Sequence, residues 1–88
     1  MKFSEIKPGD TYSFERILTT GDIRAFAQLS GDFNPLHTDA HYAKRASFRT
    51  NIAHGMLLAG LFSRLIGMYC PARGSLYLSQ SLEFRNPV

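Results

Sequence analysis

The stretch from Ala53 to Tyr69 constrains this chain more than any other. Met56, Leu57, Leu61, Leu65 and Met68 fall on one side of a helix. Leu58, Phe62, Ile66 and Tyr69 widen that side until little polar surface is left. A helix apolar nearly all round is a buried helix, so other elements have to wrap it. Interrupted by Gly60, Ser63, Arg64 and Gly67, the run is too short to span a bilayer. Pro71 and Gly74 end it.

The residues after it change period. Leu76, Leu78, Leu82 and Phe84 share one face, while Tyr77, Ser79, Ser81, Glu83 and Arg85 take the other, which predicts a half-buried strand over 75–85. Gln80 falls on the apolar face, where an amide needs a partner or a pocket. Upstream, the Lys7-Pro8-Gly9-Asp10 turn leads into residues 11–18, rich in β-branched and aromatic side chains and predicted to be a strand. Thr19-Thr20-Gly21-Asp22 opens a helix with a hydroxyl cap and an acidic first turn. Its docking face is Ile23, Phe26, Ala27 and Ser30, and Gly31 is placed to stop it. Pro35 keeps Asn34 out of the helical region, so residues 32–37 are expected to form an irregular bend. A short helix capped by Thr38 or Asp39 runs on to Ala46.

Two strands are marginal in water and cannot cover such a helix. The pattern therefore calls for a sheet completed by another chain or by further residues. Eighty-eight residues, 44% of them hydrophobic, suit one globular domain. Ten Lys plus Arg against seven Asp plus Glu give +3 without clustering, which would mildly favour an anionic ligand and argues against nucleic-acid binding. Cys70 is the only cysteine, so no internal disulfide forms and no Cys-rich metal framework exists. The N-terminus lacks the apolar core of a signal peptide, and a soluble cytoplasmic protein is expected.

The stretch Ser30-Gly31-Asp32-Phe33-Asn34-Pro35-Leu36-His37 puts a carboxylate and an imidazole on one tight segment. Held together, Asp32 and His37 could bracket one water, one taking its proton while the other orients it or returns a proton to substrate. Gly31 and Pro35 would shape the loop, and the Asn34 side chain could fix it internally. The same residues also suit a plain helix-to-helix turn with a surface histidine. A metal site drawn from Asp32, His37, Asp39 and His41 is a further alternative, although nothing in the spacing demands one. At His54-Gly55-Met56, free N–H groups at a helix start would stabilise a developing oxyanion, with Gly55 allowing close approach. A tight start to the helix accounts for the same residues, and His54 itself reads as structural. Ser63 could serve a pocket or bond back to the carbonyl four residues earlier.

Together these segments resemble a known family. Leu29-Ser30-Gly31-Asp32-Phe33-Asn34-Pro35-Leu36-His37, with Ala46 nine residues on, resembles the hydratase motif of the MaoC-like (R)-specific enoyl-CoA hydratases. His54-Gly55-Met56-Leu57 resembles the start of their central helix, and Gly74 to Leu82 the strand after it. The likeness covers nearly the whole chain and is closest to the short bacterial hydratases that feed polyhydroxyalkanoate synthesis. It implies an α+β hot-dog fold, an antiparallel sheet wrapped around a long central helix, here incomplete because the family continues with more strands after the Asn-Pro-Val position. It implies a homodimer, and an acyl-CoA thioester as substrate with no cofactor and no metal. By that likeness Asp32 and His37 match the catalytic pair and Gly55 the residue whose amide binds the thioester carbonyl. Ser63 matches a serine that helps hold the catalytic loop. The implied reaction hydrates a trans-2-enoyl-CoA to an (R)-3-hydroxyacyl-CoA. A dehydratase acting on acyl carrier protein, or a non-catalytic truncated binding module, are the alternatives.

Overall fold

The structure, a computed structural model, describes all 88 residues. Four α-helices carry it: α1 (Thr20–Ser30), α2 (Pro35–Thr38), α3 (Ala40–Arg45) and α4 (Gly55–Arg64), the last continued by a π-helical turn, Leu65–Tyr69. A 3-10 turn, Phe3–Glu5, precedes them.

Three of the four helices begin where the sequence offers a side-chain cap, and α4 begins after His54 without one. The Thr19 hydroxyl accepts from the Asp22 N–H at 3.2 Å and the Asp22 carboxylate accepts from the Thr19 N–H at 2.9 Å, a reciprocal capping box. That backbone N–H, followed by the Thr19 hydroxyl and the Arg16 guanidinium 2.8 Å away, holds the Asp22 carboxyl below the usual carboxylate range. Gly31 ends α1 at φ 80°, the left-handed region that favours glycine, and its N–H closes on Ala27 O at 2.8 Å. Asn34 caps α2, its side-chain oxygen accepting from the Leu36 N–H at 3.0 Å, with Pro35 at the first helical position. Asp39 caps α3 by accepting from the N–H groups of His41 and Tyr42.

The expected irregular bend over residues 32–37 is therefore shorter than the sequence suggested. Proline in the first turn is compatible with a helix, so regular structure resumes at Pro35 and His37 sits inside α2.

The buried residues are few: Ile23 and Ala27 of α1, Ala43 of α3, and Ala53 and His54 just ahead of α4. They lie where α1, the α2–α3 pair and the start of α4 come together. This small core is what holds the site.

The sheet expected of an α+β hot-dog fold is not formed. No backbone hydrogen bond engages residues 11–18 or 76–87, so neither predicted strand has a ladder partner. Strand period records which face a segment wants to bury, but pairing requires a hydrogen-bonded neighbour, and neither segment has one. The expected wrapping of α4 fails for the same reason. Met56, Phe62 and Met68 are 66%, 45% and 75% exposed. A compact 88-residue domain would have a radius of gyration of about 12 Å, whereas this chain measures 16.1 Å with a longest extent of 52 Å. No helix is long and apolar enough to cross a membrane.

Candidate active site

Asp32 stands exposed on the three-residue bend between Gly31 and α2. The bend is tied internally. The Ser30 hydroxyl donates to Phe26 O at 2.7 Å and accepts from the Asp32 N–H at 3.1 Å. Asp32 Oδ1 accepts from the Asn34 N–H at 3.1 Å, leaving Oδ2 without a donor from the protein. Gly31, Asn34 and Pro35 thus each hold a stated piece of the backbone that presents the carboxylate.

His37 is half-buried and held from two sides. Its Nδ1 lies 2.8 Å from the carbonyl of Ile52. A carbonyl only accepts, so Nδ1 carries the hydrogen and Nε2 keeps the lone pair. The His37 carbonyl in turn accepts from Asn51 Nδ2 at 2.8 Å, and Ile52 N–H donates to Leu36 O at 3.1 Å. The segment ahead of α4 therefore grips α2 by three hydrogen bonds.

His54 completes the cluster. It is 2% exposed, its Nε2 lies 3.0 Å from the Asp32 carbonyl, and its ring stacks on that of His37 with centroids 4.0 Å apart at 25°. Phe26 of α1 packs against the same His54 ring, tilted by 57° with centroids 4.8 Å apart. An Asp32 carboxylate oxygen and one ring nitrogen from each of His37 and His54 lie within 4.8 Å of one another.

Each of the three groups spends one atom on the backbone: Asp32 Oδ1 on the Asn34 N–H, and one ring nitrogen of each histidine on a carbonyl. Of the set Asp32, His37, Asp39 and His41, the first two fall in this cluster, while Asp39 Oδ1 caps α3.

Gly55 opens α4. The His54 carbonyl accepts from the N–H groups of Leu57 and Leu58 at 3.1 and 3.2 Å. Across a trans peptide the N–H points opposite to the carbonyl, so the Gly55 N–H aims out of the helix start. It meets a cleft of about 360 Å³ lined by His37, Ile52, Leu58, Phe84 and Val88. On the other side of His37, a second cleft of about 470 Å³ runs along α1 past Arg24, Gln28, Phe33 and Asn51. The structure thus brings Asp32, His37 and Gly55 to one corner of the small core.

Ser63 lies elsewhere. It faces a third cleft, of about 440 Å³, with Gly60, Tyr77 and Gln80, and joins the Gly55 cleft only through the shared wall of Phe84. The largest cleft, about 580 Å³ between Phe14, Ile17 and the α4 residues Leu61 and Phe62, is apolar and touches none of the polar site residues.

The groups that sequence reasoning missed are those that position others, Asn51 and the Ile52 carbonyl, whereas Phe26, expected on the docking face of α1, does dock there against His54. Neither of the first two sits in a motif that its own residue type announces.

The chain matches the model of the MaoC like domain family over residues 3–88. It is 44% identical over 86 residues to an (R)-specific enoyl-CoA hydratase of Rhodospirillum rubrum, covering 98% of this chain and 60% of that protein. It is 43% identical over 83 residues to a mitochondrial 3-hydroxyacyl-[acyl-carrier-protein] dehydratase of Arabidopsis thaliana, covering 94% of this chain and 49% of that one. Among solved structures, the R-hydratase PhaJ1 of Pseudomonas aeruginosa in its unliganded form superposes with a TM-score of 0.90 at 40% identity, over 97% of this chain and 55% of that one. The chain therefore spans about half to three-fifths of the length of these relatives. With a likeness that runs from residue 3 to residue 88 and stays at 40% identity or above in sequence and in structure, this chain belongs to the MaoC-like domain family.

Proposed function

We propose that this chain carries the acid/base and oxyanion groups of an (R)-specific enoyl-CoA hydratase, adding water to a trans-2-enoyl-CoA to give an (R)-3-hydroxyacyl-CoA. The observation that supports it best is the pairing of Asp32 and His37. Each has one atom fixed by the backbone, Oδ1 by the Asn34 N–H and Nδ1 by the Ile52 carbonyl, and each keeps a second acceptor atom free.

The β-carbon of an enoyl thioester accepts a nucleophile only if electron density can move to the thioester oxygen. The outward Gly55 N–H would stabilise that oxygen. Oδ2 of Asp32 and Nε2 of His37 are both acceptors, so they would hold one water by its two hydrogens. As the water oxygen bonds to the β-carbon, one hydrogen moves onto one of the two acceptors and is delivered from there to the α-carbon. The C=C bond is consumed, one hydroxyl and one hydrogen are gained, and the protein groups return to their starting state. This route draws on no cofactor or metal. Ser63, on the neighbouring cleft, would act on the acyl part of the substrate or on the loop around it.

The reading includes a soluble cytoplasmic protein working as a homodimer. In it, residues 11–18 and 75–85 are strands of an antiparallel hot-dog sheet that wraps α4 once the remaining strands are supplied. A second reading, a dehydratase using acyl carrier protein, is favoured by the Arabidopsis relative. The Gly55 cleft cannot distinguish carriers, because both present the same thioester.

The test is loss of conjugated-thioester absorbance with a short trans-2-enoyl-CoA, for this chain and for Asp32→Asn. Asparagine retains an oxygen for the Asn34 N–H but loses the base, so turnover should fall about 10²–10⁴-fold with folding preserved. A mutant with near-normal turnover sinks the assignment. A folded parent without turnover favours a non-catalytic module. Faster reaction with an acyl-carrier-protein thioester would favour the second reading.

A further inference from the structure

We propose that His54 is the positioning residue of this site, one side chain that sets the mutual placement of Asp32, His37 and the Gly55 amide; the proposal rests on the acid/base reading above. Three contacts carry it. The Asp32 carbonyl can only accept, so the 3.0 Å contact makes Nε2–H of His54 the donor and fixes the Asp32 backbone. The face of the same ring lies 4.0 Å from that of His37, limiting how the catalytic imidazole can tilt. The peptide unit that carries the Gly55 N–H begins at the carbonyl of His54, itself locked by Leu57 and Leu58. A shift of His54 therefore moves all three functional groups together.

The unpartnered atom of the ring supports this over a simple packing role. Nδ1 of His54 is buried without a hydrogen-bond partner. A buried acceptor without a donor is unfavourable, because it has lost its hydration and gained no partner. A histidine kept only to fill space would be replaced at a gain by an apolar ring. The opposite tautomer would be worse, aiming a lone pair at the Asp32 carbonyl and burying an unpaired N–H. The arrangement makes sense if the Nε2–H bond to Asp32 is what the residue is for.

Two variants and one spectrum test the idea. His54→Phe keeps a ring to stack on His37 but has no donor. His54→Gln has no ring, yet its side-chain N–H₂ reaches as far as Nε2. In the hydration assay, His54→Phe should lower kcat about 10²-fold with KM within about twofold, the penalty expected for misplacing reacting groups by about 1 Å. His54→Gln should regain at least about tenfold of that loss. Proton–nitrogen correlation spectra of the unmutated chain should show His54 only as the Nε2–H tautomer and His37 only as the Nδ1–H tautomer. A His54→Phe kcat within twofold of the parent, a His54→Gln no better than His54→Phe, or mixed tautomers in the parent overturns the proposal. A parent with single tautomers that hydrates no thioester overturns the hydratase reading and, with it, the positioning role that rests on it.

Discussion

Replacing Gly55 by alanine separates the oxyanion role proposed for this residue from its role as a helix start. A Cβ built at Gly55 lies 3.0 Å from Cε2 of Phe84 and 3.1 Å from Cδ2 and Cζ. Carbon atoms settle at about 3.5–4.0 Å, so the ring has to retreat by about 0.5 Å or more. Phe84 is 54% exposed and can move by side-chain rotation, which makes the structural cost small. Gly55 is not among the glycines with positive φ, so alanine suits its backbone and recovers about 0.4–1 kcal/mol by restricting the unfolded chain. Stability should therefore stay level or rise slightly. Turnover should not. A lost oxyanion donor costs about 10²–10³-fold in kcat, and a donor retained but shielded by a methyl and a displaced ring should cost roughly 10–100-fold. Steady-state hydration of a short enoyl thioester, beside a thermal melt, measures both. The double variant Gly55→Ala/Phe84→Ala identifies the obstruction: recovery points to the displaced ring, and continued loss to the methyl itself. Full kcat in a well-folded Gly55→Ala protein would refute the oxyanion assignment.

Two further outcomes follow from α1. Thr19→Ala removes the acceptor for the Asp22 N–H, which should cost about 1 kcal/mol and lower the melting temperature by about 4–8 °C for a domain of this size; an unchanged melt would show that the cap contributes nothing. The Asp22 carboxyl is held below its ordinary value of 3.8, first by the Thr19 N–H, so its stabilising contribution is complete above that pH and fades as the pH falls through the lower folded value. An acid titration of helicity should thus show a step below pH 3.8 that Asp22→Asn removes; a step that survives the substitution belongs to another group.

What the sequence made legible was local. Thr19 with Asp22, Gly31, Asn34 with Pro35, and Asp39 each solve a problem of backbone hydrogen bonding within four residues, and residue type alone reveals them. Pro35 works in both directions, keeping Asn34 out of the helical region while itself beginning a helix, and residue type alone shows only the first. The site was half legible. Asp32, His37 and Gly55 stand in short motifs, and Asp32 is aimed locally by the Asn34 N–H, but the atom that aims His37 lies fifteen residues away along the chain and is a main-chain carbonyl, that of Ile52, which no side chain announces. The period-two pattern of residues 75–85 expresses a demand for burial. It does not say which strand meets that demand, and α4 stays uncovered for that reason.

The anchors of the two side chains proposed to react are peptide groups: the N–H of Asn34 for Asp32 and the carbonyl of Ile52 for His37. Main-chain anchors survive substitution of the residues that carry them. The side chain of Ile52 lines the cleft beside Gly55, so its size can be changed without touching the bond that orients the base. If the proposed hydration holds, substrate range can drift, or be redesigned, at Ile52, Leu58 and Phe84 while the anchored pair stays in register. The fold keeps the variable walls of this cleft separate from the fixed geometry of Asp32 and His37.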